Sequence, residues 1–154
     1  MKPKIVSIYS GVGGIDIGFE EVGFETVFAT DIWDRACESF KVTFPKSDIS
    51  CENITEVNFK KIKSKHGTIS GLIGGPPCPP FSKSRFYRKE KPRGINDTDG
   101  FITISNYFRA VKELNPRFFF LKMYMDSYIN HINHHCNISR MKAKDWGIKF
   151  SLKY

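Results

Sequence analysis

The chain has 154 residues, with 24 Lys and Arg against 16 Asp and Glu, for a formal net charge of +8. That length holds one ordinary domain, and a hydrophobic share of 40% suffices for its core, which excludes a compositionally disordered chain. No apolar run exceeds a handful of residues, so no transmembrane helix and no membrane partner are expected, and Met1-Lys2-Pro3-Lys4 does not open a signal peptide. The positive charge points to a polyanionic partner. The cysteines at 37, 51, 78 and 136 show no CxxC spacing, so no disulfide framework is expected and a reducing cytosol is the default compartment. Richness in Lys, Asn and Ile fits an AT-rich bacterial genome.

Ile5 to Tyr9 reads as a short buried strand, broken by Ser10-Gly11-Val12-Gly13-Gly14. A helix over Ile15–Val22 places Ile15, Phe19 and Val22 on one face, and Gly23 ends it. Phe24 to Ala29 forms the second strand, with Asp31 just past its end. Asp34 is positioned to cap a helix that runs to Phe44 and stops at Pro45. Ile49 marks a short third strand, Glu56–Lys65 a lysine-rich helix, and Ile69–Ile73 a fourth strand interrupted by Gly71. A long loop rich in proline and basic residues spans Gly74–Gly100, and loops of that length inside a compact domain are usually functional. Phe101–Leu114 is the best helix, Asn115-Pro116 ends it, and Arg117–Leu121 makes a fifth strand. Alternating strands and helices predict an α/β fold, a parallel sheet wrapped by helices.

Residues 122–154 differ in character. They hold three of the four methionines and three of the four histidines, without a period of 3.6 or 2. His131, His134, His135 and Cys136 match no common zinc spacing, so no metal is expected.

Three features bear chemistry. Gly11, Gly13 and Gly14 let the backbone take positive φ and approach a ligand at the carboxyl end of the first strand. A dinucleotide fingerprint would place a further glycine at position 16, which is Asp16, so the turn suits a nucleoside ligand without a pyrophosphate. Taken alone, the turn fits a plain strand-to-helix connection equally well. Asp31, 20 residues after Gly11, can accept hydrogen bonds from ribose hydroxyls, although Asp is common at strand ends. Gly74-Gly75-Pro76-Pro77-Cys78-Pro79-Pro80-Phe81-Ser82 follows the fourth strand. An isolated cysteine is more often structural, but four prolines that fix φ at a ligand edge favour a presented nucleophile. The basic run from Lys83 to Arg93, interleaved with Phe86 and Tyr87, can bind phosphates and stack on bases, although most such runs are solvated surface.

Together these residues resemble the N-terminal part of a DNA (cytosine-5) methyltransferase. Tyr9-Ser10-Gly11-Val12-Gly13-Gly14 resembles the family's Phe-x-Gly-x-Gly-Gly turn, which holds S-adenosylmethionine. Asp31-Ile32 resembles the position that holds ribose and adenine. Asn53-Ile54-Thr55 resembles an Asp-Ile-Thr element near the adenine, with Asn for Asp. Gly75-Pro76-Pro77-Cys78 resembles the family's Pro-Cys motif, and Asp97-Thr98-Asp99-Gly100-Phe101-Ile102 a weaker Asp-x-Arg-Gly-x-Leu. The match covers about residues 4–121.

The resemblance implies a Rossmann-like S-adenosylmethionine-dependent methyltransferase fold with an incomplete parallel sheet of about five strands, an exposed edge and apolar surface. It implies S-adenosylmethionine as cofactor, held by Tyr9, Gly11, Val12, Gly13, Gly14, Asp31, Ile32, Asn53, Ile54, Gly75 and Pro77. Double-stranded DNA is the implied partner, contacted by Ser82, Lys83, Arg85 and Arg88, with Cys78 as nucleophile on a flipped-out cytosine in a bacterial restriction-modification setting.

The chain departs from the family after Leu121, where Lys122-Met123-Tyr124 stands in place of Glu-Asn-Val. A lysine can neither accept a hydrogen bond nor act as a weak carboxylic acid. Lys-Met-Tyr-Met-Asp is encoded AAR ATG TAY ATG GAY. One G placed in front gives GAA RAT GTA YAT GGA, which is Glu, Asn or Asp, Val, Tyr or His, and Gly. A single-base deletion, in the gene or in its sequencing, is therefore expected to have put residues 122–154 out of frame, leaving 1–121 as a partial catalytic domain and the chain inactive by itself. The alternatives are a non-enzymatic cofactor- or DNA-binding remnant, and one half of a split methyltransferase completed by a C-terminal chain.

Overall fold

The computed structural model describes residues 1–77 and 98–122, the side chains of 98–100 excepted. Five strands, β1 (Lys4–Ile8), β2 (Glu25–Asp31), β3 (Asp48–Cys51), β4 (Gly71–Gly74) and β5 (Phe118–Leu121), form one parallel sheet in the order β3-β2-β1-β4-β5. The connecting helices are α1 (Gly14–Glu21), α2 (Asp34–Thr43), α3 (Phe59–His66) and α4 (Thr98–Leu114). The order reverses at β1, whose neighbours are β2 and β4, so the strand ends of these three share the crevice where such sheets bind ligands.

Strand alternation divides the core in two. Val6, Ile8 and Leu72 join α3 and α4 residues, among them Phe59, Ile62, Tyr107 and Leu114, in one cluster. On the opposite face Ser7 meets α1, and Ala29 packs on Phe40 and Phe44 of α2. Tyr107 is fully buried and its hydroxyl donates to the Phe120 carbonyl at 2.9 Å, tying α4 to β5. Gly71 is a regular strand residue and does not interrupt β4. It pairs with Phe118, whose ring fills the space where a side chain at position 71 would go.

Three further expectations need correction. Asp34 lies inside α2 and does not cap it. The cap position is Trp33, without a side-chain bond, and its amide donates to Asp31 Oδ1 at 3.0 Å. Val22 lies beyond α1 and is 72% exposed, because the Ile15–Phe19–Val22 stripe borders an open groove against Phe120. Cys37 and Cys51 are joined as a disulfide, with Cα atoms 6.1 Å apart. A 14-residue separation carries no motif, and it is the packing of α2 beside β3 that brings the two sulfurs together.

The tail after Lys122, with His131, His134, His135 and Cys136, lies outside the described residues. Among the described residues no helix is long and apolar enough to cross a membrane.

Candidate cofactor edge and the family it belongs to

β1 leads into a turn whose backbone is left-handed at Tyr9, Gly11 and Gly13, with φ of 54°, 54° and 89°. Such a φ is uncommon for a tyrosine. Tyr9 holds it by packing on the core and donating its hydroxyl to the Thr103 carbonyl of α4 at 2.9 Å. Burial raises this phenol's pKa well above its ordinary value. The turn is closed by Ser10 N donating to Thr30 O at 3.1 Å and Gly13 N to Ser10 O at 3.0 Å.

The glycines do different work. A Cβ on Gly13 would collide with the Phe44 ring at Cε2, so the missing side chain lets the turn sit on α2's aromatic pair. A Cβ on Gly11 would meet nothing within 4 Å. Gly11 therefore leaves free space above the strand ends, on the side from which a ligand would approach. Gly14 begins α1.

Asp31 closes β2 directly opposite. Its Oδ2 accepts from Gly11 N at 2.8 Å and its Oδ1 from Trp33 N at 3.0 Å. Each carboxylate oxygen keeps a further lone pair for a donor. Val12, Ile32 and Trp33 are 56%, 69% and 61% exposed around this pair. The combination of an anionic acceptor, an open glycine and apolar side chains suits a molecule with hydroxyls at one end and a flat ring at the other.

Asn53 folds the next segment into a turn, its Oδ1 accepting from Thr55 N at 3.1 Å and Thr55 Oγ1 at 2.9 Å. The Ile54 side chain is buried in the core. Its carbonyl accepts from Arg109 Nη2 at 2.6 Å, while Arg109 Nη1 donates to Val57 O at 3.0 Å and the guanidinium lies 4.8 Å from the centre of the Phe59 ring. Arg109 thus fastens the 53–57 segment to α4. Sequence reasoning missed it, because an arginine in an amphipathic helix carries no mark of a partner 55 residues away.

Asp16 was also missed except as a non-glycine. It is fully buried beneath the turn and accepts from Ser7 Oγ at 3.0 Å and Thr26 Oγ1 at 3.2 Å. Burial pushes its carboxyl up to about 6, against the lowering effect of those two hydrogen bonds. Ser7, a polar residue within the apolar run Ile5–Ile8, was the signal that could have found it.

β4 ends beside the turn. A Cβ on Gly75 would lie 3.5 Å from Ile15 Cδ1, Pro76 is buried and Pro77 exposed. The Lys122 amide donates to Gly74 O at 2.9 Å, so residue 122 stands at this same edge. Gly11, Gly13, Asp31, Ile32 and Gly75 are thereby gathered along the ends of β1, β2 and β4, whereas Ile54 turns its side chain inward. Cys78, Ser82, Lys83, Arg85 and Arg88 lie outside the described residues.

A family model described as the C-5 cytosine-specific DNA methylases matches residues 3–122. The chain belongs to this family. Relatives of this chain include the Type II methyltransferase M.NgoPII of Neisseria gonorrhoeae, 36% identical over 118 residues, which covers 75% of this chain and 31% of that protein. M.FnuDI of Fusobacterium nucleatum is 36% identical over 121 residues, covering 75% and 30%. Among solved structures, a DNA modification methyltransferase encoded within an E. coli prophage superposes with a TM-score of 0.68 at 27% identity, covering 88% of this chain and 36% of that one. The chain spans about a third of the length of these relatives. The fold is the Rossmann-like one of S-adenosylmethionine-dependent methyltransferases.

Proposed function

We propose that this chain is the cofactor-holding, nucleophile-bearing part of a Type II DNA (cytosine-5-)-methyltransferase, which moves a methyl group from S-adenosylmethionine to C5 of cytosine in double-stranded DNA. The observation that carries the reading is the Gly11–Asp31 pair, an open glycine amide bonded to a carboxylate at 2.8 Å across the ends of β1 and β2. In it Asp31 accepts from the ribose hydroxyls, Ile32, Trp33 and Val12 cover the adenine, and the Gly11–Gly14 turn lies against the amino-acid part. Tyr9, Asn53 and Ile54 act indirectly, by holding the turn and the neighbouring segment in place.

When bound, the cofactor supplies an electrophilic methyl group. Cys78, entered through Gly75 and Pro77, is the nucleophile that adds to C6 of a flipped-out cytosine, enriching C5. Once C5 has taken the methyl group, loss of the C5 proton and departure of the Cys78 thiolate from C6 restore the aromatic ring. Ser82, Lys83, Arg85 and Arg88 contact the DNA backbone.

Lys122 occupies the edge position where the family resemblance expects a glutamate, and it supports a chain that binds cofactor without turnover. The reading of residues 122–154 as out of frame is tested by resequencing across codon 122. An intact frame without the missing G refutes it.

Function is tested with methyl-labelled S-adenosylmethionine. Equilibrium dialysis against the full chain should give saturable binding, and absence of binding overturns the reading. Transfer of label to duplex DNA should be absent for the chain alone and appear when a frame-restored C-terminal chain is added. Binding without transfer in both conditions would favour the non-enzymatic remnant.

A further inference from the structure

We propose that Cys37 and Cys51 are a reversible thiol–disulfide pair that stiffens the cofactor edge when oxidised. The proposal rests on the placement of the cofactor at Gly11 and Asp31.

Four observations support it. The two sulfurs are bonded, and their Cα separation of 6.1 Å lies in the range a disulfide needs. Their position is specific: Cys51 is the register partner of Asp31 at the end of β3, and Cys37 sits in α2, which starts directly after Ile32-Trp33. The bridge therefore joins the two elements that flank the Asp31 carboxylate. Reduction is also accommodated, since the Cys37 sulfur lies 3.6 Å from the Asp31 carbonyl and the Cys51 sulfur 3.2 Å from Asp34 Oδ1, so each free thiol has an acceptor at hand. Finally, Cys51 is exposed and Cys37 buried, which gives the exchange an order.

The oxidant is a small disulfide of the glutathione class. The Cys51 thiolate attacks one of its sulfurs, forming a mixed disulfide and releasing one glutathione thiolate. The Cys37 thiolate then attacks the Cys51 sulfur and displaces the second glutathione. The chain loses two protons and two electrons, and one glutathione disulfide becomes two glutathiones. The bridge closes residues 37–51, most of α2 together with β3, so the two elements that flank β2's end have less freedom left to lose when a nucleoside is gripped there.

The test equilibrates the full chain in glutathione buffers from reducing to oxidising. Peptide mass spectrometry should find Cys37 and Cys51 cross-linked under oxidising conditions and free under reducing ones. The dissociation constant for S-adenosylmethionine should fall about threefold to tenfold on oxidation. Cys51→Ser should bind equally in both buffers, which separates the effect from glutathione carried on Cys78 or Cys136. No cross-link, or a cross-link with unchanged affinity, overturns the proposal. If neither redox state binds the cofactor, the functional reading fails by itself. Amide exchange at residues 31–37 and 48–53 then decides the clamp: slower exchange on oxidation upholds it, and unchanged exchange overturns it.

Discussion

The Gly11 amide donates to Asp31 Oδ2 at 2.8 Å, across 20 residues of chain and the whole of α1. The bond ties the turn after β1 to the end of β2, so the acceptor expected to meet a ribose is also the brace of the glycine turn. Asp31→Ala removes both services. The expected outcome is a loss of S-adenosylmethionine affinity of about tenfold to a hundredfold, from charge-assisted hydrogen bonds worth roughly 1.5–3 kcal/mol each. Isothermal titration calorimetry checks it, and unchanged affinity would place the cofactor elsewhere.

Gly11→Ala and Gly13→Ala should separate binding from folding. At Gly13 an added methyl meets Phe44 and a left-handed backbone, and about 3 kcal/mol of stability should be lost in urea unfolding. At Gly11 the space is open, so about 1 kcal/mol is lost from the backbone alone while cofactor affinity falls sharply.

Asp16 makes the fold sensitive to rising pH in an unusual window. The unfolded carboxyl ionises near 3.8, whereas the folded one holds its proton up to about 6. The stabilisation is therefore complete below 3.8 and is lost as pH rises to about 6, a change of about 3 kcal/mol. Asp16→Asn should remove that slope. The difference between variant and parent unfolding free energies, measured by urea titration from about pH 4 to about pH 7.5, should rise across this interval. A flat difference refutes the assignment.

Arg109→Ala should free the carbonyls of Ile54 and Val57 from their guanidinium donors. Stability should drop by about 3 kcal/mol, with faster amide exchange at residues 53–57. Arg109→Lys, which cannot span both carbonyls in a fixed fork, should recover only part of the loss.

β1, the glycine turn, the stop at Gly23 and the α/β alternation were legible because each rests on local chemistry: apolar runs, residues that permit positive φ, breakers. The motifs around Gly11 and Asp31 were legible because spacing along one strand–helix–strand unit fixes their distance in space. What stayed hidden depends on chain segments far apart. Asp34 is the local exception: it has a cap residue's chemistry but is the first residue of α2, one position past the cap at Trp33. Gly71 looks like a break until Phe118 of the neighbouring strand fills its space. The Cys37–Cys51 bridge and the Arg109 fastening exist only once helices are laid on the sheet.

Among the described residues β5 has a strand on one side only, and Phe120, 44% exposed, lines the uncovered recess beside α1. An unpaired strand next to bare aromatic surface is a template for self-association. Produced alone in a cell, this polypeptide should engage chaperones and collect in inclusion bodies. Co-expression with the frame-restored C-terminal chain proposed above should return it to the supernatant.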